Sequence, residues 1–200
     1  MKKILLTVLL ISACFISHAE KKVSEYYSGY YRETFDIKAT DVKDGNFKFY
    51  INCHSVDSHQ PVGFSLLSED VPLFIIALSG IKDKYSEWSE VAKKNGVIDY
   101  DKYFEIPFPK VNAFFKYGRD WYFRFNFELK PYFKVTKSGK CLVVFNSGKL
   151  ISTNDPYIDV DGFNLIFCTV DEIDEFIKAL DISNVLEKSI ADKEIDALFQ

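Results

Sequence analysis

His54 and His59 are the two histidines able to do chemistry in the body of the chain, and they flank Asp57 and Ser58 in a polar stretch between Cys53 and Pro61. An imidazole beside a carboxylate can bind a metal or relay a proton. A spacing of five, however, suits neither one helix face nor one strand face, so the stretch reads as an exposed loop. Cys53 and His54 are adjacent, and neighbours on a strand point to opposite faces, which argues against a thiolate–imidazole pair. There is no G-x-S-x-G elbow. No catalytic residue is assigned.

Asp155, Asp159 and Asp161, close to Asn154 and Gly162, bring oxygen ligands together. They lack the D-x-D-x-D-G order and the distant bidentate glutamate of a calcium loop, and the expectation is a turn with solvated carboxylates. A glycosidase-type carboxylate pair stands as the enzymatic alternative, with nothing in the sequence to select two acids from 29. No glycine-rich phosphate loop, nucleotide fingerprint or C-x-x-C is present, so neither a cofactor nor a metal is expected.

The unusual feature is aromatic content, 16% of the chain. Tyr26, Tyr27, Tyr30 and Tyr31 put four tyrosines within six residues. Rigid amphipathic rings that lose little entropy on binding suit a surface for a sugar or a protein, and these four are the candidate ligand-binding residues. The competing expectation is an edge strand whose tyrosines simply cover the sheet.

Charge narrows the partners. Arginine occurs only at Arg32, Arg119 and Arg124, with no basic stripe to neutralise phosphates, so nucleic acid is not an expected partner. The N-terminus runs Met1-Lys2-Lys3, an apolar stretch from Ile4 to Ile16, then Ser17-His18-Ala19. That order predicts a secretory signal over residues 1–19, cleaved after Ala19. The apolar run is shorter than the ~20 residues a spanning helix needs, and no later segment is long and apolar enough to cross a membrane. Cleavage takes Lys2 and Lys3 away, leaving 23 basic against 29 acidic residues, a net charge near −6. Ile11-Ser12-Ala13-Cys14 also resembles a bacterial lipoprotein box, in which Cys14 is acylated; that alternative places the chain on a lipid anchor rather than free in the periplasm or outside the cell. Either way the chain is expected to be exported. Three thiols remain, and Cys141 with Cys168 is the pair considered for a disulfide in an oxidising compartment.

Alternation supplies the framework. From Trp121 to Leu129 every odd position is apolar, the signature of a half-buried antiparallel strand. Phe47, Phe49, Ile51 and Cys53 alternate likewise after an Asp44-Gly45 turn, predicting a hairpin with 34–42. Gly139, Gly148 and Gly162 cut 131–168 into a meander in which 141–145 and 163–167 are the most apolar and central. Thr169 and Glu172 form a capping box for a helix over 170–181. Another helix is expected over 184–199, and two more on either side of residue 80, the second ending at Asn95-Gly96.

Gly63-Phe-Ser-Leu-Leu followed by Leu73–Leu78 echoes Gly162-Phe-Asn-Leu-Ile-Phe followed by Ile173–Leu180, an echo of the kind that marks two related halves, 22–98 and 110–182, joined through Asp99–Pro109. The expected architecture is a single α+β domain over 20–200, with antiparallel sheets and a few amphipathic helices packed on them. The expected role is a non-catalytic binding or interaction module of the bacterial cell envelope, with a protein or glycan partner; a structural part of an envelope assembly is the third reading.

Overall fold

The computed structural model describes residues 20–56 and 60–197, with side chains through residue 191. The proposed signal, Cys14 and His59 lie outside the described residues. In chain order the elements are β1 (Lys21–Ser28), β2 (Glu33–Ala39), β3 (Lys48–Ser55), β4 (Val62–Leu67), α1 (Val71–Lys94), β5 (Tyr100–Tyr103), β6 (Val111–Tyr117), β7 (Asp120–Phe127), β8 (Tyr132–Val135), β9 (Cys141–Asn146), β10 (Leu150–Ile151), β11 (Asp159–Val160), β12 (Phe163–Phe167), α2 (Val170–Ala179) and α3 (Ile182–Ala197). It is the α+β fold that the alternating strands and amphipathic helices predict. The large sheet runs β5-β8-β9-β12-β3-β4-β6-β7, and its pairings are antiparallel.

Strand period 2 sends one set of side chains to the face covered by the helices. Phe49 and Ile51, Phe64 and Leu66, Val143 and Phe145, and Phe163 and Phe167 form the centre of that core, each burial stabilising by about 1.5–3 kcal/mol. The segments 141–145 and 163–167 do lie side by side near the middle of the sheet. The β2–β3 turn has Asp44 at φ 51° and Gly45 at φ 79°, the pair of positive angles a tight hairpin turn requires. Gly63 meets a different demand: a Cβ there would collide with the Ile51 carbonyl oxygen and touch the Phe114 ring at 3.0 Å.

Three expectations are corrected. The first-half helix is one helix, α1, not two. Ser79-Gly80 does not break it, because Ser79 Oγ donates to the Ile75 carbonyl one turn back, and the bare Gly80 backbone lets Ile106 pack against it. The segment 99–109 is not only a connector; it contributes β5, which pairs with β8 at the sheet edge. Thirdly, α2 stops at Ala179, where the Leu180 and Asp181 amides turn back to carbonyls three residues earlier. Its cap forms as the sequence predicts, with Thr169 Oγ1 accepting from the Glu172 amide at 3.2 Å. The Glu172 carboxylate bonds the Cys168 amide at 2.9 Å.

The two echoing segments occupy similar roles, β4 running into α1 and β12 into α2, on opposite edges of β3. Their outer neighbours differ, since β4 pairs with β6 and β12 with β9. Strands from 22–98 and 110–182 interleave in one sheet.

β3 is the hub. One edge pairs with β4 throughout; the other pairs with β2 at residues 49–51 and with β12 at 54–55. The sheet therefore forks beside Asn52, and the Tyr26 hydroxyl, arriving from β1, donates to the Asn52 carbonyl at 2.9 Å. Its ring packs between Phe35 and Phe176. Helix α1 is fastened at its middle by Tyr85, whose hydroxyl donates to the Cys168 carbonyl at 2.6 Å with the Cys141 carbonyl 3.2 Å away.

Candidate functional site

The sheet face opposite α1 is built from the other half of each strand's alternation, and register sorts it into rows. Asn146, Asn164 and His54 are successive cross-strand partners on β9, β12 and β3. They make a polar row in which Asn146 Nδ2 donates to Asn164 Oδ1 at 2.6 Å. The next row runs Tyr103, Tyr132, Val144, Ile166 across β5, β8, β9 and β12. A third holds Asp101, Lys134 and Leu142, with Asp101 and Lys134 ion-paired at 3.1 Å.

Onto these rows falls the tip of the β1–β2 hairpin. Tyr31 stacks on the His54 ring with centroids 3.6 Å apart and planes within 13°. It also packs on the small apolar cluster of Leu142, Val144 and Ile166, against which Tyr132 and Cys168 pack as well. Tyr30 meets Tyr31 edge to face at 5.0 Å, with the Lys140 ammonium 5.9 Å from its ring centroid. Tyr103 meets Tyr132 in the same manner at 5.7 Å. Burial holds the Tyr31 and Tyr132 phenols above their ordinary pKa, so both remain neutral hydroxyls able to donate and accept. His54 Nδ1 lies 3.6 Å from the Glu33 carboxylate.

Of the four tyrosines singled out by sequence, the structure thus brings two to this face. Tyr26 is a core residue, 4% exposed. Tyr27 is half exposed on β1, on the opposite side of the strand from Tyr26, where alternation puts it. Sequence reasoning missed Tyr103, Tyr132, Asn146, Asn164 and the involvement of His54, which belongs to a strand rather than to a loop. His54 and Tyr132 sit at off-core positions of alternating strands, which was the available signal, whereas Tyr103 lies on the fully exposed β5 and Asn146 ends the fully buried run of β9; the cross-strand register that assembles them is not written in any one segment.

Beyond Tyr132 the face dips into a depression of about 720 Å³ whose lining includes Asp101, Tyr103, Tyr132, Asn146, Glu128 and Lys130. This falls within the roughly 300–1,000 Å³ of small-molecule sites. Its carboxylates are ion-paired, Glu128 with Lys130 of the same lining at 3.2 Å and Asp101 with Lys134 just outside it. Both carboxylates are more than half exposed.

The remaining candidates have structural duties. Asp155 Oδ1 accepts from the Tyr157 amide, and Asp159 pairs with Lys149 at 3.0 Å; among the described residues no cluster of three potential metal ligands occurs. Cys141 and Cys168 are free thiols, as is Cys53. β9 and β12 are adjacent, but Cys141 faces the helix-covered core while Cys168, one residue past the end of β12, packs on the opposite face, so a bond between them would have to pass through the sheet. Burial raises the Cys53 thiol far above its usual range, the Tyr26 contact pulling it partly back. Cys168 is also raised by burial, against the opposing influence of Lys140. No described helix is long and apolar enough to cross a membrane. The chain matches no protein-family model, no curated protein and no solved structure.

Proposed function

We propose that this chain is a non-catalytic binding module exported to the bacterial cell envelope, and that it binds through the sheet face opposite α1. The observation that carries the reading is the continuity of that face: Tyr30, Tyr31, His54, Asn164, Asn146, Tyr132 and Tyr103 connect the hairpin tip to the open depression. Aromatic planes offer contact area at small entropic cost, and the amides give directional hydrogen bonds. Export rests on the N-terminal residue order alone.

The enzymatic alternative has one observation in its favour, that Asp101 and Glu128 line the same depression. Both are exposed and paired with lysines, whereas a glycosidase's general acid sits in a desolvating pocket. Binding without turnover is the better fit.

The test is a thermal-shift screen of the purified protein against glycans, peptides and common metabolites, repeated on Tyr30→Ala/Tyr103→Ala. A ligand at 100 times its Kd adds about 2.7 kcal/mol, which for a chain of this length moves the melting midpoint by roughly 5–10 °C. A saturable shift in the parent that shrinks in the double variant supports the reading. A shift that the double variant retains in full would move the site elsewhere, and release of product from a bound polymer would replace the reading with the enzymatic one.

A further inference from the structure

We infer that the depression beside Tyr103 and Tyr132 is a subsite for a neutral saccharide, a proposal that rests on the binding reading above and names its ligand class. Three features of the site lead there.

The first is its charge. Asp101, Glu128 and Lys130 line it, and each is already paired, Glu128 with Lys130 and Asp101 with Lys134 just outside the lining. An anion entering would meet Asp101 and Glu128, and a cation would meet Lys130 and two carboxylates whose charge is already matched, so a charged ligand gains little net field and loses its hydration. A neutral ligand carrying many hydroxyls meets donors and acceptors of both kinds. Lys130 donates, Asp101 and Glu128 accept, and the second Nδ2 hydrogen of Asn146 is left over from its bond to Asn164.

The second is its aromatic geometry. Tyr103 and Tyr132 meet at 60° rather than in parallel, so they form a corner with one ring face and one ring edge. A single pyranose ring has an apolar C–H face to lay on a tyrosine plane and equatorial hydroxyls to reach the rim. An extended proline-rich peptide would want parallel rings along a groove.

The third is solvent access. Tyr103 is 66% exposed, so its ring is held out into water at the rim without a duty in the core. Together with the size of the depression, this gives room for one sugar unit and for chain continuing past it towards Tyr30.

The experiment is isothermal titration of the purified protein with a series of oligosaccharides of equal length: neutral hexose, uronic acid and amino sugar. Tyr103→Ala, Tyr132→Phe and a proline-rich peptide are run beside them. Binding of the neutral series, weakened about tenfold by Tyr103→Ala, with weaker binding of both charged series, is the expected result. Circular dichroism melts confirm that Tyr103→Ala keeps the parental fold, and Tyr132→Phe, which retains the ring, separates stacking from the hydroxyl contact. Preference for either charged series overturns the charge argument, and peptide binding with the same tyrosine dependence overturns the saccharide while leaving the binding face intact. If no oligosaccharide binds and the screen above also finds no ligand, both readings fall; if the screen finds a ligand of another class, this one alone falls.

Discussion

Tyr26→Phe removes one oxygen atom from the fork in the sheet, and the structure sets what that costs. The phenyl ring keeps its contacts with Phe35 at 5.3 Å and Phe176 at 4.9 Å, so no cavity opens and no apolar area is lost. What disappears is the 2.9 Å bond to the Asn52 carbonyl, between the last β2 pairing at Ile51 and the first β12 pairing at His54. An acceptor left without its donor in a part-buried site costs about 1–3 kcal/mol. For a chain of this length each kcal/mol lowers the melting midpoint by about 2–4 °C, so the expected drop is roughly 2–12 °C. Tyr27→Phe, next along the strand and half exposed, should change stability by no more than about 0.5 kcal/mol. Paired calorimetric melts of the two variants make the comparison, with amide exchange reporting whether β2 and β3 open first. Equal melting of Tyr26→Phe and the parent, or a larger loss in Tyr27→Phe, would refute the assignment of Tyr26 to the fork.

Further outcomes are expected on the same physical grounds. Gly63→Ala should lower stability by several kcal/mol or abolish soluble expression, since its methyl group would occupy the space of the Ile51 carbonyl oxygen; near-parental melting would show that β3 and β4 can separate cheaply. Thr169→Ala should cost about 1 kcal/mol through loss of the α2 cap, read by chemical denaturation. Alkylation of the native protein should modify Cys168 first and faster as pH rises, because burial keeps its thiol protonated at neutral pH; Cys53 and Cys141 should react only after unfolding, and mass spectrometry should find all three as thiols. Burial raises Tyr26 well above its ordinary value and Tyr85 to about 12. Each raised pKa favours the neutral phenol in the folded state, so stability is complete below about pH 10 and declines above it, as the unfolded chain ionises first. Denaturant titrations between pH 8 and 12 should show that decline, and Tyr85→Phe should reduce its slope.

What could be read from the chain alone was everything governed by local periodicity. Alternation in 47–53, the Asp44-Gly45 turn and the Thr169/Glu172 cap each depend on a few consecutive residues, and each appears where those residues require; in 121–129 the strand forms, but its pairing with β6 shifts register, Trp121 and Phe125 stay exposed, and even-numbered Tyr122 packs against the core. The limits of local reading are equally physical. Two helices are expected on either side of residue 80, but α1 runs through it, with Ile106 packed on Gly80, and tertiary packing outweighs the roughly 1 kcal/mol cost of glycine in a helix. The four clustered tyrosines looked alike in sequence; strand direction and the fork separated Tyr26, which holds the fold, from Tyr30 and Tyr31, which line the face. Cys141 and Cys168 looked like a possible bridge, and register put them on opposite sides of the same sheet. Asn146, Asn164 and His54 become neighbours only because three strands align with one residue's accuracy, and a slip of one would turn all three into the core. Local periodicity was enough to set most strands and helices and the apolar face of elements such as β3 and α2, because those follow from the 3.6 and 2.0 residue periods of the backbone. Only the tertiary structure decided which polar faces meet, because register and strand order are set by long-range packing that no single segment encodes.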